Sequence, residues 1–125
     1  MYELTIIANF SSAHCIRGYE GACENLHGHN WKVEVSVRAR GLDRLGMVMD
    51  FKAIKAKTRE VVDRLDHRYL NEVPPFDSVN ATAENIARHI FDELSSSIAA
   101  PGVSVARVKV WESDTAAAAY SGEEG

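Results

Sequence analysis

The stretch Trp31-Lys32-Val33-Glu34-Val35-Ser36-Val37-Arg38-Ala39 decides the fold of this chain. Its odd-numbered positions are apolar, and its even-numbered positions are polar or charged. Side chains alternate between the two faces of a strand, so this pattern predicts a strand with one face in the core. A turn follows at residues 41–46, bounded by Gly41 and Gly46.

A second strand is predicted on the N-terminal side of this stretch. Residues Tyr2 to His14 contain alternating apolar and polar positions, and the strand is expected to end at His14. Residues 15–26 contain Gly18 and Gly21 and show no periodicity, which indicates a loop. We therefore expect the first two strands to pair as an antiparallel ladder joined by this long loop.

Two helices and a further strand are predicted on the C-terminal side. Asp50 is the expected N-cap of a helix whose apolar residues recur at spacings of three and four, namely Phe51, Ile54, Thr58, Val61, Val62 and Leu65. Thr82 is expected to cap a second helix, with Glu84 in its first turn and a buried stripe of Ile86, Ile90, Leu94 and Ile98.

The last predicted strand covers residues 103–112, and a short strand at 117–120 could follow it. Val108 and Val110 set the apolar face and place Glu112 on it, whereas Val103 and Val105 have the opposite parity, which favours a β-bulge. Segregated blocks of strands and helices predict an α+β fold, an antiparallel sheet with both helices on one face.

The composition fits one domain and excludes some functional classes. The chain has 125 residues, 46% hydrophobic and 26% charged, with a formal net charge of -4. A nucleic-acid partner is not expected, because no basic excess is present. Two cysteines are too few for a disulfide framework, and neither a leader nor a membrane-spanning run is recognisable, so we expect a cytoplasmic protein without a membrane partner.

Three histidines form the main candidate site. His27 and His29 are one residue apart, so in an extended chain they project from the same side, and His14 ends the neighbouring predicted strand. Three imidazoles with a fourth position open are typical of catalytic zinc. Cys23 either closes this site as a fourth ligand or provides a base or nucleophile whose thiol pKa a nearby cation would lower.

Two other groups of residues suggest chemistry. Asp66 directly precedes His67, and an acid beside a histidine can orient or charge the imidazole, although histidines also occur at helix C-termini for dipole reasons alone. Glu112 lies on the predicted apolar face, where a carboxylate must be paired or must bind something. The guanidine-like edge of a pterin or guanine ring would suit it through two parallel hydrogen bonds.

Over almost its whole length the chain resembles the family of 6-pyruvoyltetrahydropterin and 6-carboxytetrahydropterin synthases. The matching pieces are residues 10–14, 23–29, 49–51, 65–67, 82–85 and 111–112. The resemblance implies the tunnelling fold, a four-stranded antiparallel sheet with two helices. It also implies trimers whose sheets form a barrel, two trimers stacked as a homohexamer, and active sites between subunits.

The resemblance also implies a role for each site residue. His14, His27 and His29 look like ligands of Zn²⁺, and Cys23 looks like the proton-abstracting base. Asp66 and His67 look like a relay that reaches in from a neighbouring subunit. Glu112, with Thr82 and Glu84, looks like the binding site for the pterin substrate.

The implied substrate is 7,8-dihydroneopterin triphosphate, and several products are open. One branch forms 6-carboxy-5,6,7,8-tetrahydropterin, acetaldehyde and triphosphate on the way to queuosine. Another branch, in which a glutamate near the position of Glu24 replaces the cysteine, forms 6-hydroxymethyl-7,8-dihydropterin for folate synthesis. Pyruvoyl synthase activity and a pterin- or purine-binding module without activity are the remaining alternatives.

Overall fold

The computed structural model describes residues 1–18, 27–98 and 100–122. Along the chain it contains β1 (Tyr2–His14), β2 (His27–Ala39), α1 (Phe51–Val62), a short 3-10 helix (Leu70–Glu72), α2 (Ala83–Ser97), β3 (Val103–Ser113) and β4 (Ala116–Tyr120). The strands form one antiparallel sheet in the order β1-β2-β3-β4. The predicted fold class and element order are confirmed.

One face of the sheet and both helices form the core. Trp31, Val33, Val35 and Val37 are fully buried, as the alternation in β2 predicts. The helices supply their buried stripes to the same cluster, including Ile54, Val61, Val62, Ile86, Ile90 and Leu94. Each fully buried aliphatic side chain of this kind contributes about 1.5–3 kcal/mol through its removal from water.

Both predicted helix caps are present. The carboxylate of Asp50 accepts a hydrogen bond from the Lys52 N–H at 2.8 Å, and the hydroxyl of Thr82 accepts one from the Asn85 N–H at 3.1 Å. The placement of Phe51 in the buried stripe of the first helix was wrong. Its side chain is 51% exposed, because the first turn of α1 lies at the margin of the core, beside Met47, Met49 and Tyr2.

The strand boundaries differ from the prediction in one useful respect. β2 begins at His27 rather than at Trp31, so His27 and His29 belong to the strand itself.

The bulge expected in β3 is confirmed, since Val37 pairs with Val105 while the adjacent Ser36 pairs with Arg107. The extra residue lets valines of both parities face the core.

β1 and β4 are the outer strands of the sheet. Residues 67–69 run beside the end of β1, where the Ala13 N–H donates to the Arg68 carbonyl at 3.0 Å and Tyr69 forms a parallel bridge with Ala13. Among the described residues, no helix has the length and apolar character that crossing a membrane requires.

Candidate metal centre

The pairing of β1 with β2 brings three imidazoles together at one end of the sheet. His14 is directly opposite His27 in the ladder, and Ser12 is opposite His29. The ring centroid of His14 lies 4.6 Å from that of His27 and 5.1 Å from that of His29. The centroids of His27 and His29 are 4.7 Å apart. The convergence that the sequence predicted is therefore present in the folded chain.

Glu112 of β3 joins this cluster. Its Oε1 atom lies 3.6 Å from Nε2 of His29, and its Oε2 atom lies 3.9 Å from Nε2 of His14. One ligand atom from each of the four side chains lies within 4.8 Å of all the others. Glu112 is skipped in the pairing of β3 with β4, where Trp111 pairs with Ala117 and Ser113 with Ala116. This bulge allows its side chain to be aimed at the histidines.

The hydrogen bonding of His14 leaves its inner nitrogen available. Nδ1 lies 2.7 Å from the carbonyl oxygen of Ala81, so this nitrogen carries the proton and donates. Nε2 is buried and has no hydrogen-bond partner among the described residues, and the same holds for Nε2 of His29. Metal-binding histidines typically donate their other ring N–H to a carbonyl in this way.

These observations fit a metal ion. A buried nitrogen without a partner is costly unless something binds it, and two such nitrogens point into one cluster. Burial is the main cause that lowers the pKa of His29 below 6.5, with the neighbouring His14 and His27 contributing in the same direction and Glu112 opposing them. A lowered pKa keeps the imidazole neutral near pH 7, which is the form that binds metals. Imidazole donors suit zinc among several transition metals.

Trp31 packs against this cluster from the core side. Its ring is fully buried, lies edge-on to His14 and His29 with centroid distances of 5.1 and 5.3 Å, and stacks on Phe10 at 6.0 Å. Rigid packing of this kind restricts the rotamers of the two imidazoles. The alternation in β2 predicted only a core position for Trp31. Its position two residues after His29 on the same face of β2 could have indicated this contact.

Asp66 and His67 lie at the outer edge of β1, apart from the four-residue cluster. The Asp66 carboxylate accepts the Ser11 N–H at 2.9 Å and lies 3.0 Å from Nδ1 of His67. The backbone hydrogen bond from Ser11 is the main cause that lowers the pKa of Asp66, and His67 adds to it. The carboxylate is therefore charged at neutral pH and can orient the imidazole, as the sequence pair suggested.

The conformation of His67 directs its ring outward. Its φ of 56° is in the left-handed region, which few residues other than glycine adopt, and its side chain is 82% exposed. Such strain is held here by the contacts of residues 66–69 with β1. His67 and His29 both line an open groove of about 480 Å³, together with Ser11, Gly28 and Tyr69.

Two asparagines that the sequence analysis missed hold the chain just after His14. The side chain of Asn71 accepts the Cys15 N–H at 2.9 Å and donates to the Cys15 carbonyl at 2.7 Å. Asn80 makes the same pair of bonds with Arg17 at 3.0 and 2.9 Å. Each side-chain amide thus makes the two backbone hydrogen bonds that a neighbouring strand would otherwise make with that residue. The sequence gives no signal that connects Asn71 with Cys15 or Asn80 with Arg17, because 56 and 63 positions separate the two members of each pair.

The remaining predicted site residues lie outside the histidine cluster or outside the described part of the chain. Cys23 and Glu24 lie outside the described residues. Thr82 caps α2, and the residue before it supplies the carbonyl that holds His14. Glu84 is exposed in the first turn of α2.

Comparison with known proteins gives the family. The family profile described as 6-pyruvoyl tetrahydropterin synthase matches residues 3–123. The chain belongs to this family. An Archaeoglobus fulgidus relative, named provisionally as a 6-carboxy-5,6,7,8-tetrahydropterin synthase, is 42% identical over 87% of this chain and 86% of its own length. The human 6-pyruvoyl tetrahydrobiopterin synthase is 38% identical over 82% of this chain and 72% of its own length.

Solved structures of the family have the same fold. The Caenorhabditis elegans 6-pyruvoyl tetrahydropterin synthase superposes with a TM-score of 0.86 at 27% identity, covering 98% of this chain and 96% of that one. A catalytic-residue mutant of the Plasmodium vivax 6-pyruvoyltetrahydropterin synthase, with glutamate changed to cysteine, gives 0.77 at 26% identity over 95% and 96% of the two chains. The sheet and helices described above are therefore the tunnelling fold of these pterin enzymes.

Proposed function

We propose that this protein is a zinc-dependent carbon-carbon lyase that converts 7,8-dihydroneopterin triphosphate to 6-carboxy-5,6,7,8-tetrahydropterin, with release of acetaldehyde and triphosphate. The observation that carries the proposal is the convergence of His14, His27 and His29 in a chain of this family, with two buried nitrogens that have no hydrogen-bond partner among the described residues. The product would serve the synthesis of queuosine or other 7-deazaguanines in the cytoplasm.

Each site residue has a proposed part in this reaction. His14, His27 and His29 would hold Zn²⁺, which would supply Lewis-acid polarisation of the side-chain hydroxyls of the substrate. Cys23 would remove a proton from the side chain as general base. His67, oriented by the Asp66 carboxylate at 3.0 Å, would return or accept protons. Glu112 would hold the guanidine-like edge of the pterin, with Thr82 and Glu84 completing the substrate site.

The outward position of His67 supports an active site shared between subunits. An imidazole that is 82% exposed at the outer strand of the sheet can reach into a groove of a neighbouring copy. We propose that β1 and β4 of neighbouring copies pair edge to edge, so that three sheets close a barrel and two trimers stack as a hexamer. Closed barrels leave no unpaired strand edges, which protects a long edge such as β1 from aggregation.

Two other reactions are alternatives within the family. Relatives are named for both carboxy and pyruvoyl products, so a pyruvoyl synthase is one of them. The second is formation of 6-hydroxymethyl-7,8-dihydropterin with Glu24 as the base; the Plasmodium vivax enzyme of this family also has a catalytic glutamate. We prefer the carboxy product to the pyruvoyl product because the relative with 42% identity is named for it. We prefer it to the hydroxymethyl product because Cys23 is present in this chain.

Product analysis separates these reactions. The zinc-loaded protein is incubated with 7,8-dihydroneopterin triphosphate, and pterins and acetaldehyde are measured by mass spectrometry. Acetaldehyde with 6-carboxytetrahydropterin is the expected result. Triphosphate release without acetaldehyde would identify the pyruvoyl reaction, and hydroxymethylpterin would identify the reaction through Glu24.

Cysteine variants test the proposed base. Cys23→Ala is expected to abolish acetaldehyde formation while zinc stays bound. Cys15→Ala removes the only other cysteine of the sequence and serves as the matched control, with activity expected to remain. Loss of zinc from Cys23→Ala would identify Cys23 as a ligand and contradict its assignment as base. Unchanged acetaldehyde formation in Cys23→Ala would show that another group is the base.

A further inference from the structure

We infer that the acidic segment Glu123-Glu124, which follows β4, binds the basic side of α1 in the next copy of the chain. This inference rests on the edge-to-edge pairing of β1 and β4 proposed above, and the joint between the two strands is called the seam. The acidic segment itself lies outside the described residues. The described surfaces on the two sides of the seam support its placement.

Both edges of the sheet are open to a partner strand. Among the described residues, the outer edge of β1 has backbone hydrogen-bond partners only from Asn9 onward, where Arg59 and residues 66–68 contact the strand. β4 consists of four alanines and Tyr120, without the charges or prolines that typically protect an edge strand. Small side chains allow close approach, so β4 of one copy fits the free part of β1 in the next.

The helices of two copies would flank the seam. α1 packs over β1, whereas α2 packs over β3 and β4. Both helices contribute to one core and therefore lie on the same face of the sheet. Edge-to-edge pairing thus brings α2 of one copy next to α1 of the following copy.

The chain leaves β4 toward the helices. The φ of Gly122 is +84°, a conformation that residues with a side chain rarely adopt, and it turns the chain out of the strand. A β-carbon on Gly122 would lie 3.3 Å from the ring of Phe91 in α2. Phe91 also packs on Tyr120 of the edge strand, with ring centroids 5.0 Å apart. The acidic segment therefore starts beside α2, on the side where α1 of the next copy arrives.

The side of α1 that borders the edge of β1 is basic. Lys52, Lys55 and Arg59 lie at spacings of three and four, so they share one side of the helix. They border a groove of about 440 Å³ against residues 6–8 of β1. Arg59 already lies 3.5 Å from the carboxylate of Asp63, but neither lysine has an ion pair among the described residues. Both lysines can therefore bind carboxylates that come from another copy.

Arg88 in α2 of the same copy is the competing partner for the acidic segment. Its guanidinium lies 5.4 Å from the centroid of the Tyr120 ring, close to the end of β4. However, Arg88 already lies 3.8 Å from the carboxylate of Asp92. Binding to Lys52 and Lys55 of the next copy pairs two cations that otherwise have no partner, so the contact between copies is favoured.

The contact would adjust the strength of assembly and would not create it. Ion pairs at an exposed interface contribute little affinity, because water and salt screen them. They do set orientation and disfavour wrong partners, since like charges brought together are costly. The acidic segment would thus make the association of copies dependent on salt and would specify which strand edges meet.

Charge reversal tests the contact through assembly. Glu123→Lys/Glu124→Lys and Lys52→Glu/Lys55→Glu each place like charges on both sides of the seam. In dilution series followed by analytical ultracentrifugation, we expect each double variant to lower the affinity between copies roughly 3- to 10-fold at low salt. The combination of both should restore the affinity. All differences should disappear at about 1 M salt, where charges are screened within about 3 Å.

Lys57→Glu is the matched control for the reversal on α1. Lys57 is two residues beyond Lys55, so it projects from roughly the opposite side of the helix. The same type of charge change is made there without facing the seam. We expect the affinity between copies to stay unchanged in this variant.

Cross-linking tests the contact directly. A carbodiimide joins carboxylates to amines that touch each other, and the protein is assembled from equal amounts of isotope-labelled and unlabelled chains. We expect mass spectrometry to find the acidic segment joined to Lys52 or Lys55 in peptides of mixed label, which identifies a contact between copies. Cross-links to Lys57 are not expected.

Three results would overturn the inference in a protein that assembles. Both reversals could leave the affinity unchanged, their combination could fail to restore it, or the acidic segment could cross-link only within one chain. A protein that sediments as a monomer at all concentrations would reject the pairing of β1 with β4 together with this inference. Absence of acetaldehyde from an assembled protein that shows the expected charge effects would reject only the proposed reaction.

Discussion

Replacement of Asn71 by alanine tests how the chain is held next to the candidate metal site. The variant loses both hydrogen bonds to Cys15, of 2.9 and 2.7 Å. Each such bond contributes a net of about 0.5–1.5 kcal/mol, so the pair is worth about 1–3 kcal/mol. Because Cys15 is only 8% exposed, water cannot readily replace the lost partner, and we expect a loss of about 2 kcal/mol.

Asn80 offers a matched control with the same chemistry in a different environment. Its two bonds to Arg17 have similar lengths but lie at the surface, where water can bind the freed groups. We expect Asn80→Ala to lose less than about 1 kcal/mol. Asn71→Asp retains the acceptor but places a carboxylate oxygen against the Cys15 carbonyl, so its loss should be at least as large as that of Asn71→Ala.

Urea unfolding of the metal-free proteins measures these differences. Zinc affinity is measured in parallel, because Cys15 follows His14 directly and a displaced backbone would move that proposed ligand. We expect Asn71→Ala to bind zinc more weakly than Asn80→Ala does. If Asn71→Ala unfolds within about 0.5 kcal/mol of the parent protein, as an ordinary surface change would, the proposed role of the amide is refuted.

Three further variants test other parts of the structure. His29→Ala should reduce zinc affinity by roughly 100-fold or more with an unchanged circular dichroism spectrum, since it removes a proposed ligand and not a core side chain. Asp66→Asn keeps an acceptor for the Ser11 N–H but loses the charge beside His67, so turnover should fall roughly 10²–10⁴-fold without loss of bound zinc. Burial lowers the pKa of His89 below 6.5, so the unfolded chain takes up more protons below that pH and stability falls on acidification. His89→Gln should lose less stability than the parent between about pH 7.5 and 5.5 in urea unfolding, and an equal loss would contradict this assignment.

The sequence could predict those features that depend on periodicity and local chemistry. The alternation in β2, the caps at Asp50 and Thr82 and the irregular parity of β3 each come from rules that act over a few residues. The histidine cluster was also predictable, because pairing of neighbouring strands follows from their order and brings His14 opposite His27.

Features that depend on contacts between distant segments could not be predicted. The amide of Asn71 binds the backbone 56 positions earlier, and the Ala81 carbonyl holds a ring 67 positions away. The partly buried position of His89 against Phe76 is of the same kind, with ring centroids 5.4 Å apart. The proximity of Glu112 to the histidines required both the register of β3 and its bulge, and only the facing of the residue could be inferred from its parity.

The three histidines are held by a ladder that pairs all thirteen residues of β1 with all thirteen of β2. Backbone pairing and the apolar core therefore position the three proposed ligands without the help of an ion, in contrast to a zinc finger, whose chain folds only around its metal. Chelation should leave the secondary structure intact, and zinc uptake should be a simple second-order association with no refolding phase. Under the proposed zinc dependence, a cell that is short of zinc would accumulate a folded, inactive reserve of this protein that regains activity when zinc returns.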